Sequence, residues 1–160
     1  MHPPETTAQQ AKRPRVTVAS IVEREGRFLF VEELDPQGHT VINQPAGHVE
    51  GGESLAEAVV RETFEETGWL IRPEHLVGVY LWNRPGSDIS YCRIAIAGHP
   101  ERHDPASPLD EGILRALWLS PEELAARRDA LRSPMVARCL EDYLAGERYP
   151  LSVLKSMLAP

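Results

Sequence analysis

The stretch from Ser54 to Thr67 contains no proline or glycine and is rich in Ala, Leu, Glu and Arg, so a helix of roughly four turns is expected there. Ser54 is suited to cap its start. Glu57, three residues on, completes a Ser-x-x-Glu capping box, and Gly68 stands where a left-handed C-terminal cap belongs. Around this helix Leu55, Ala56, Val59, Val60, Thr63 and Phe64 cover one half and Glu57, Arg61, Glu62 and Glu65 the other, with Glu66 at the border beside Leu55. Like charges one turn apart repel by a few tenths of a kcal/mol, so Glu62, Glu65 and Glu66 are a cost unless cations bridge them. On an arbitrary helix such a cluster is a solvated acidic face. Here a glycine-rich loop, Gly47 to Glu53, runs straight into the helix start. The segment Gly47 to Trp69 thus sets six glutamates and an arginine at fixed spacings, an arrangement suited to holding a divalent metal against a phosphate.

At 160 residues with 42% hydrophobic content, the chain suits one domain with a sizeable core. Residues Met1 to Pro14 carry three prolines and no apolar run, and read as a disordered leader before a single domain spanning residues 15–160. No window approaches the roughly 18 apolar residues that a membrane span needs. Cys92 and Cys139 read as small buried hydrophobes in a reducing cytoplasm rather than as a disulfide or zinc framework. The net charge of −7 disfavours a general nucleic-acid binder, and an acidic protein that binds a polyanion does so largely through metal ions.

Strands are expected at Val16–Val22, with both faces largely buried, and at Phe28–Val31 after a turn at Arg24-Glu25-Gly26. Others follow at Leu76–Trp82, Ser90–Ile96 and Ile113–Leu119, with a turn at Asn83-Arg84-Pro85-Gly86. Ser120-Pro121 and Ser133-Pro134 each open a helix with a serine cap and a first-position proline, the second running to about Ala145 before Gly146. Strands on both sides of a central helix suggest an α/β protein with α/β/α layering.

The residues Gly47, Glu53, Arg61, Glu62, Glu65, Glu66 and Gly68 fall in register with G-x5-E-x7-R-E-U-x-E-E-x-G-U, where U is usually aliphatic. The segment resembles the Nudix box, signature of hydrolases that cleave nucleoside diphosphates linked to another moiety. Thr63 and Trp69 depart from the pattern at the U positions, where packing is expected. The segments RVTVASIVE, GRFLFVEE and INQPAGHVE, and LRSPMVARCLEDYLAGERYPL near the C-terminus, are similar to a bacterial phosphatase branch of this family, so the resemblance spans Arg15 to about Leu151. It implies the Nudix fold, an α/β/α sandwich around a mixed β-sheet. It also implies a magnesium-dependent phosphatase, with manganese as a substitute, acting on nucleoside tri- and diphosphates. Thiamine-pathway pyrophosphate esters such as hydroxymethylpyrimidine pyrophosphate are implied as substrates too, with orthophosphate as product.

By the same resemblance Glu62, Glu65 and Glu66 ligate metal together with the backbone carbonyl of Ala46. Glu62, Glu65 and Arg61 form the catalytic group. Arg61 orients a neighbouring carboxylate, Glu53 by position. The general base is left open between Glu62, Glu65 and a loop carboxylate such as Glu111, beside Asp110. Arg93 is unusual inside an expected strand and is a candidate for a substrate phosphate. Trp82 and Tyr91 flank the turn near Asn83 and suit stacking on a ring, or a core position. Gln44 is placed to hydrogen-bond substrate or to brace its loop. Arg15, His48, His99 and His103 read as exposed or loop residues, and no histidine pair has zinc spacing. The expected partner is a small-molecule nucleotide or pyrophosphate, with no nucleic acid and no membrane, on a monomer or homodimer. Two other functions share these motifs. An RNA 5′-end pyrophosphohydrolase calls for a basic track, and this chain offers only Lys12-Arg13-Pro14-Arg15 and Arg127-Arg128. A non-catalytic nucleotide sensor often lacks a box glutamate, and all three are present here.

Overall fold

The computed structural model describes residues 13–159; most of the expected leader lies outside the described residues. The strands are β1 (Arg15–Arg24), β2 (Arg27–Leu34), β3 (Thr40–Asn43), β4 (Ala46–His48), β5 (Trp69–Asn83), β6 (Ser90–His103), β7 (Ile113–Leu119) and β8 (Tyr149–Pro150). The α-helices are α1 (Leu55–Thr67), α2 (Pro121–Ala126) and α3 (Pro134–Leu144). A mixed sheet runs β3-β2-β1-β6-β5-β8, with β4 paired to β1 and β7 to β2. The β1–β6 pair is parallel from Arg15↔Tyr91 to Val22↔Gly98, and the other strand pairs are antiparallel. Glu25 and Gly26 both have positive φ, at 52° and 74°, the backbone that a two-residue hairpin between β1 and β2 demands.

Alternation along the strands divides the core between two helical layers. Val18, Ile94 and Ile96 pack with Ala58 and Val59 of α1. Ile21, Ala95 and Ala97 face the other way and pack with Val136, Cys139 and Leu140 of α3 and Leu124 of α2. The sheet is therefore covered on both faces, as the α/β/α expectation required. The burial expected of β1 fails at one residue, Val16, which is 44% exposed opposite Cys92 at the strand's outer end.

Helix α1 begins as expected, with Ser54 Oγ accepting from Glu57 N–H, and ends at Gly68 with φ 73°. The reciprocal half of the capping box differs, since the Glu57 carboxylate accepts from the Ser54 hydroxyl instead. The face it buries also differs from the one expected. Glu62 and Glu66 join Ala58, Val59, Thr63 and Thr67 on the buried side, while Phe64 and Ala56 are only half-buried. Glu66 can lie there because β4 brings the Ala46 N–H to it, and Glu62 because Gly47 leaves it room. The departures at Thr63 and Trp69 are both accommodated. Thr63, fully buried, donates to Val59 O and pairs with the Ser20 hydroxyl at 2.8 Å. Trp69 stacks on His103 and meets Trp118 edge-on, with Arg24 over both indoles.

Strands β5 and β6 are longer than expected, and His99 and His103 lie in β6 rather than in a loop. Pro73 and Pro100 obscure the pattern. Both sit at or beside register shifts in the β5–β6 ribbon, where ladder hydrogen bonds are interrupted and proline is tolerated.

Glu32 of β2 ties three elements together, accepting from Arg115 of β7 at 2.7 Å and from Arg127, beyond α2, at 2.6 Å. Those bonds, Arg115 first, draw its carboxyl down from 4.5 to about 2. Because the folded value is depressed, the stabilisation is complete above the unfolded value and is lost as pH falls from about 4.5 through about 2. Discounting for the exposed arginine partners, we expect Glu32→Gln to cost about 2 kcal/mol at neutral pH and to flatten acid unfolding in that window. Equal acid sensitivity of variant and parent in circular dichroism would contradict this.

Candidate active site

The loop from Gly47 to Glu53 is closed on itself by Glu50 N–H donating to Glu53 Oε1 at 2.8 Å. Arg61 then locks loop to helix. Its guanidinium grips Glu53 at 2.9 and 2.7 Å, donates to His48 O at 3.1 Å, and reaches Glu62 at 2.9 Å and Glu65 at 3.1 Å. Arg61 is thus the fixed point that aims three carboxylates, and the Glu53 hydrogen bonds, ahead of its Glu62 contact, hold its proton more firmly than usual.

β4 lies antiparallel to β1 and brings Ala46 and Gly47 against the helix face. The Ala46 N–H donates to Glu66 Oε1 at 2.8 Å. Gly47 leaves room for Glu62, since a Cβ at this position would lie 2.1 Å from the Glu62 Cδ. We therefore expect Gly47→Ala to displace that carboxylate and lower kcat at least about thirtyfold, as loss of a positioned group does. An alanine variant with parental kcat would show that the Glu62 position is not critical.

The loop after β6 completes the cluster. Asp110 N–H donates to Glu65 O at 3.0 Å, and carboxylate oxygens of Glu62, Glu65 and Asp110 lie within 4.8 Å of one another. Of the two loop acids weighed in the sequence, Asp110 joins the group, while Glu111 stays exposed outside it. Burial acts on Glu62 and Glu66. It pushes the Glu66 carboxyl up to about 9 and raises that of Glu62, with neighbouring acids adding to both. Clustered carboxylates form the hard-oxygen donor set that a divalent cation stabilises. Magnesium or manganese fits these residues.

Beside the carboxylates lies a cavity of about 220 Å³ that runs from Ala46 and Gly47 to Trp82, Tyr91 and Arg93. The rings of Trp82 and Tyr91 stack at 6.0 Å with 19° between planes, and Arg15 lies over Tyr91. Arg93, 4% exposed, donates to Gln44 Oε1 at 2.9 Å and to Asn43 Oδ1 at 3.0 Å. Gln44 is buried outside the cavity lining, and its amide nitrogen donates to Val136 O at 2.7 Å. A larger groove of about 1160 Å³ along β5 and α3 shares Trp82 but touches no box carboxylate. The helix glutamates, Ala46, Arg93 and Trp82 are thus gathered in one region, whereas Gln44 acts on Arg93. Sequence reasoning missed Asn43 and Glu33, because their partners lie on elements far along the chain.

A family model described as the NUDIX domain matches residues 11–139. The chain is 41% identical over 142 residues to Phosphatase NudJ of Escherichia coli (strain K12), covering 89% of this chain and 91% of that protein. Phosphatase NudJ of Shigella sonnei matches at the same identity and coverage. Among solved structures, a NUDIX hydrolase from Nitrosomonas europaea superposes with a TM-score of 0.88 at 43% identity, covering 90% of this chain and 97% of that one. With the box residues disposed as described, the chain belongs to the Nudix family of hydrolases.

Proposed function

We propose that this protein is a magnesium-dependent phosphatase that hydrolyses nucleoside tri- and diphosphates and small pyrophosphate esters, among them thiamine-pathway pyrophosphates such as hydroxymethylpyrimidine pyrophosphate. Its product is orthophosphate. The protein acts in the cytoplasm through one catalytic domain that begins near Arg15. The observation that carries this reading is the carboxylate cluster beside a small aromatic cavity with a buried arginine. The likeness to Phosphatase NudJ supports a phosphatase reaction.

In this reading Glu62, Glu65 and Glu66, with the Ala46 carbonyl, would hold the metal, and Asp110 would add a further oxygen. When bound, such a cation would supply charge to neutralise the phosphate oxygens and would lower the pKa of an attacking water. Glu62 or Glu65 would accept the proton of the attacking water, since both lie in the cluster and are held by Arg61. Arg61 contributes by fixing those carboxylates. Arg93 meets a phosphate oxygen, and Trp82 with Tyr91 stacks on the organic ring. Gln44 serves the substrate by holding Arg93.

The presence of all three box glutamates argues for catalysis over sensing. The test is phosphate release from a panel of nucleotides and thiamine-pathway pyrophosphates, with and without magnesium. Metal-dependent release from small substrates supports the reading. Activity confined to 5′-triphosphorylated RNA, or none at all, would overturn it.

A further inference from the structure

A buried arginine ordinarily faces a carboxylate, because an ion taken out of water is costly unless it is paired. Arg93 does not. Its two terminal nitrogens donate to the side-chain oxygens of Gln44 and Asn43, both neutral amides, and its Nε has no hydrogen-bond partner. Among the described residues no carboxylate pairs with it. The acid in this network, Glu33, accepts from Asn43 Nδ2 at 3.2 Å and from Arg132 at 3.1 Å, so its charge is matched by Arg132. The Cys139 thiol beside Arg93 is pushed up by burial and stays neutral. A guanidinium keeps its charge in a protein, so this one is an uncompensated cation at the wall of the cavity next to Gly47 and Trp82.

Each amide is oriented by a second bond. Gln44 Nε2 donates to Val136 O at 2.7 Å, and Asn43 Nδ2 donates to Glu33, so only their oxygens face the guanidinium. Glutamate or aspartate would hold the same plane but would also neutralise it.

We propose that Asn43 and Gln44 are positioning residues that hold Arg93 rigid while leaving its charge available for an anionic group of the substrate. The proposal rests on the reading that this cavity receives the substrate. It adds that the neutrality of the two acceptors sets the affinity for the anion. The charge-assisted bonds that arginine makes to phosphate oxygens are the interaction being reserved.

The test compares Gln44→Glu with Gln44→Met in the full chain. Both variants lose the donor to Val136 O; only glutamate neutralises Arg93. Binding of methylenediphosphonate, whose P–C–P link resists hydrolysis, is measured by calorimetry with magnesium present, together with KM and kcat on a hydrolysed substrate. Gln44→Glu is expected to weaken binding and raise KM at least about tenfold relative to Gln44→Met, with kcat within about threefold. In an Arg93→Met background the difference between the two should vanish. Equal losses in both variants, with KM unmoved, would reduce Gln44 to a brace and overturn the proposal. If Arg93→Met alone leaves methylenediphosphonate binding unchanged, the cavity is not the anion site, and the underlying reading fails with it. Should Gln44→Glu fail to fold, Asn43→Asp against Asn43→Leu gives the same comparison.

Discussion

Glu66→Gln is expected to lower turnover at least about a hundredfold, the scale of losing a positioned electrostatic or acid–base group. Glu66 is 6% exposed and its Oε1 accepts from Ala46 N–H, so glutamine fills the same space and can keep that bond. What it loses is the charge that the proposed cation would require. Folding should survive, and the metal-free variant should be at least as stable as the parent, because burial already makes this carboxylate costly to ionise. Steady-state kinetics and a thermal melt check both parts. Near-parental turnover in magnesium and manganese would mean the site is misassigned.

Removing divalent metal is expected to abolish activity altogether. Without a cation, Glu62, Glu65 and Asp110 repel one another and would repel the incoming phosphates. Added magnesium should stabilise the fold by about 2.7 kcal/mol at a concentration a hundred times its Kd, since it binds a cluster that exists only in the folded chain, and so raise the melting temperature. Binding should also release protons, because Glu66 and Glu62 hold theirs more tightly than ordinary carboxyls. Calorimetry in two buffers of different ionisation enthalpy reads that release directly. Full turnover in excess chelator contradicts the metal assignment.

How far the sequence could be read depended on how local the determining contacts are. Helix α1, its serine cap and its glycine stop are fixed within a single segment and were legible. Which of its faces is buried was not, because hydrophobic periodicity assigns glutamates to solvent and cannot see that β4 supplies Ala46 N–H and the space over Gly47 to Glu62 and Glu66. Strands β3 and β4 are short, and their partners on β2 and β1 lie elsewhere in the chain, so INQPAGHVE carried no period of its own. Pro73 and Pro100 concealed the full length of β5 and β6. Arg93 stood out as a charge within a strand, but its acceptors could not be named, since Asn43 and Gln44 precede it by 50 and 49 residues. Asp110 and Glu111 were indistinguishable as neighbours in sequence. The bond from Asp110 N–H to Glu65 O turns one of them into the cluster.

Which phosphate leaves depends on where the chain of phosphates sits relative to the carboxylate cluster, and in the proposed reading Arg93, outside the box at the cavity wall, sets that register. Turnover of a nucleoside triphosphate in oxygen-18 water, with magnesium and with phosphate and pyrophosphate quantified separately, tests this most directly. The account predicts nucleoside diphosphate and orthophosphate carrying the label. Pyrophosphate as the main product would contradict the register, and absence of metal-dependent cleavage from every phosphoanhydride offered would contradict the account as a whole.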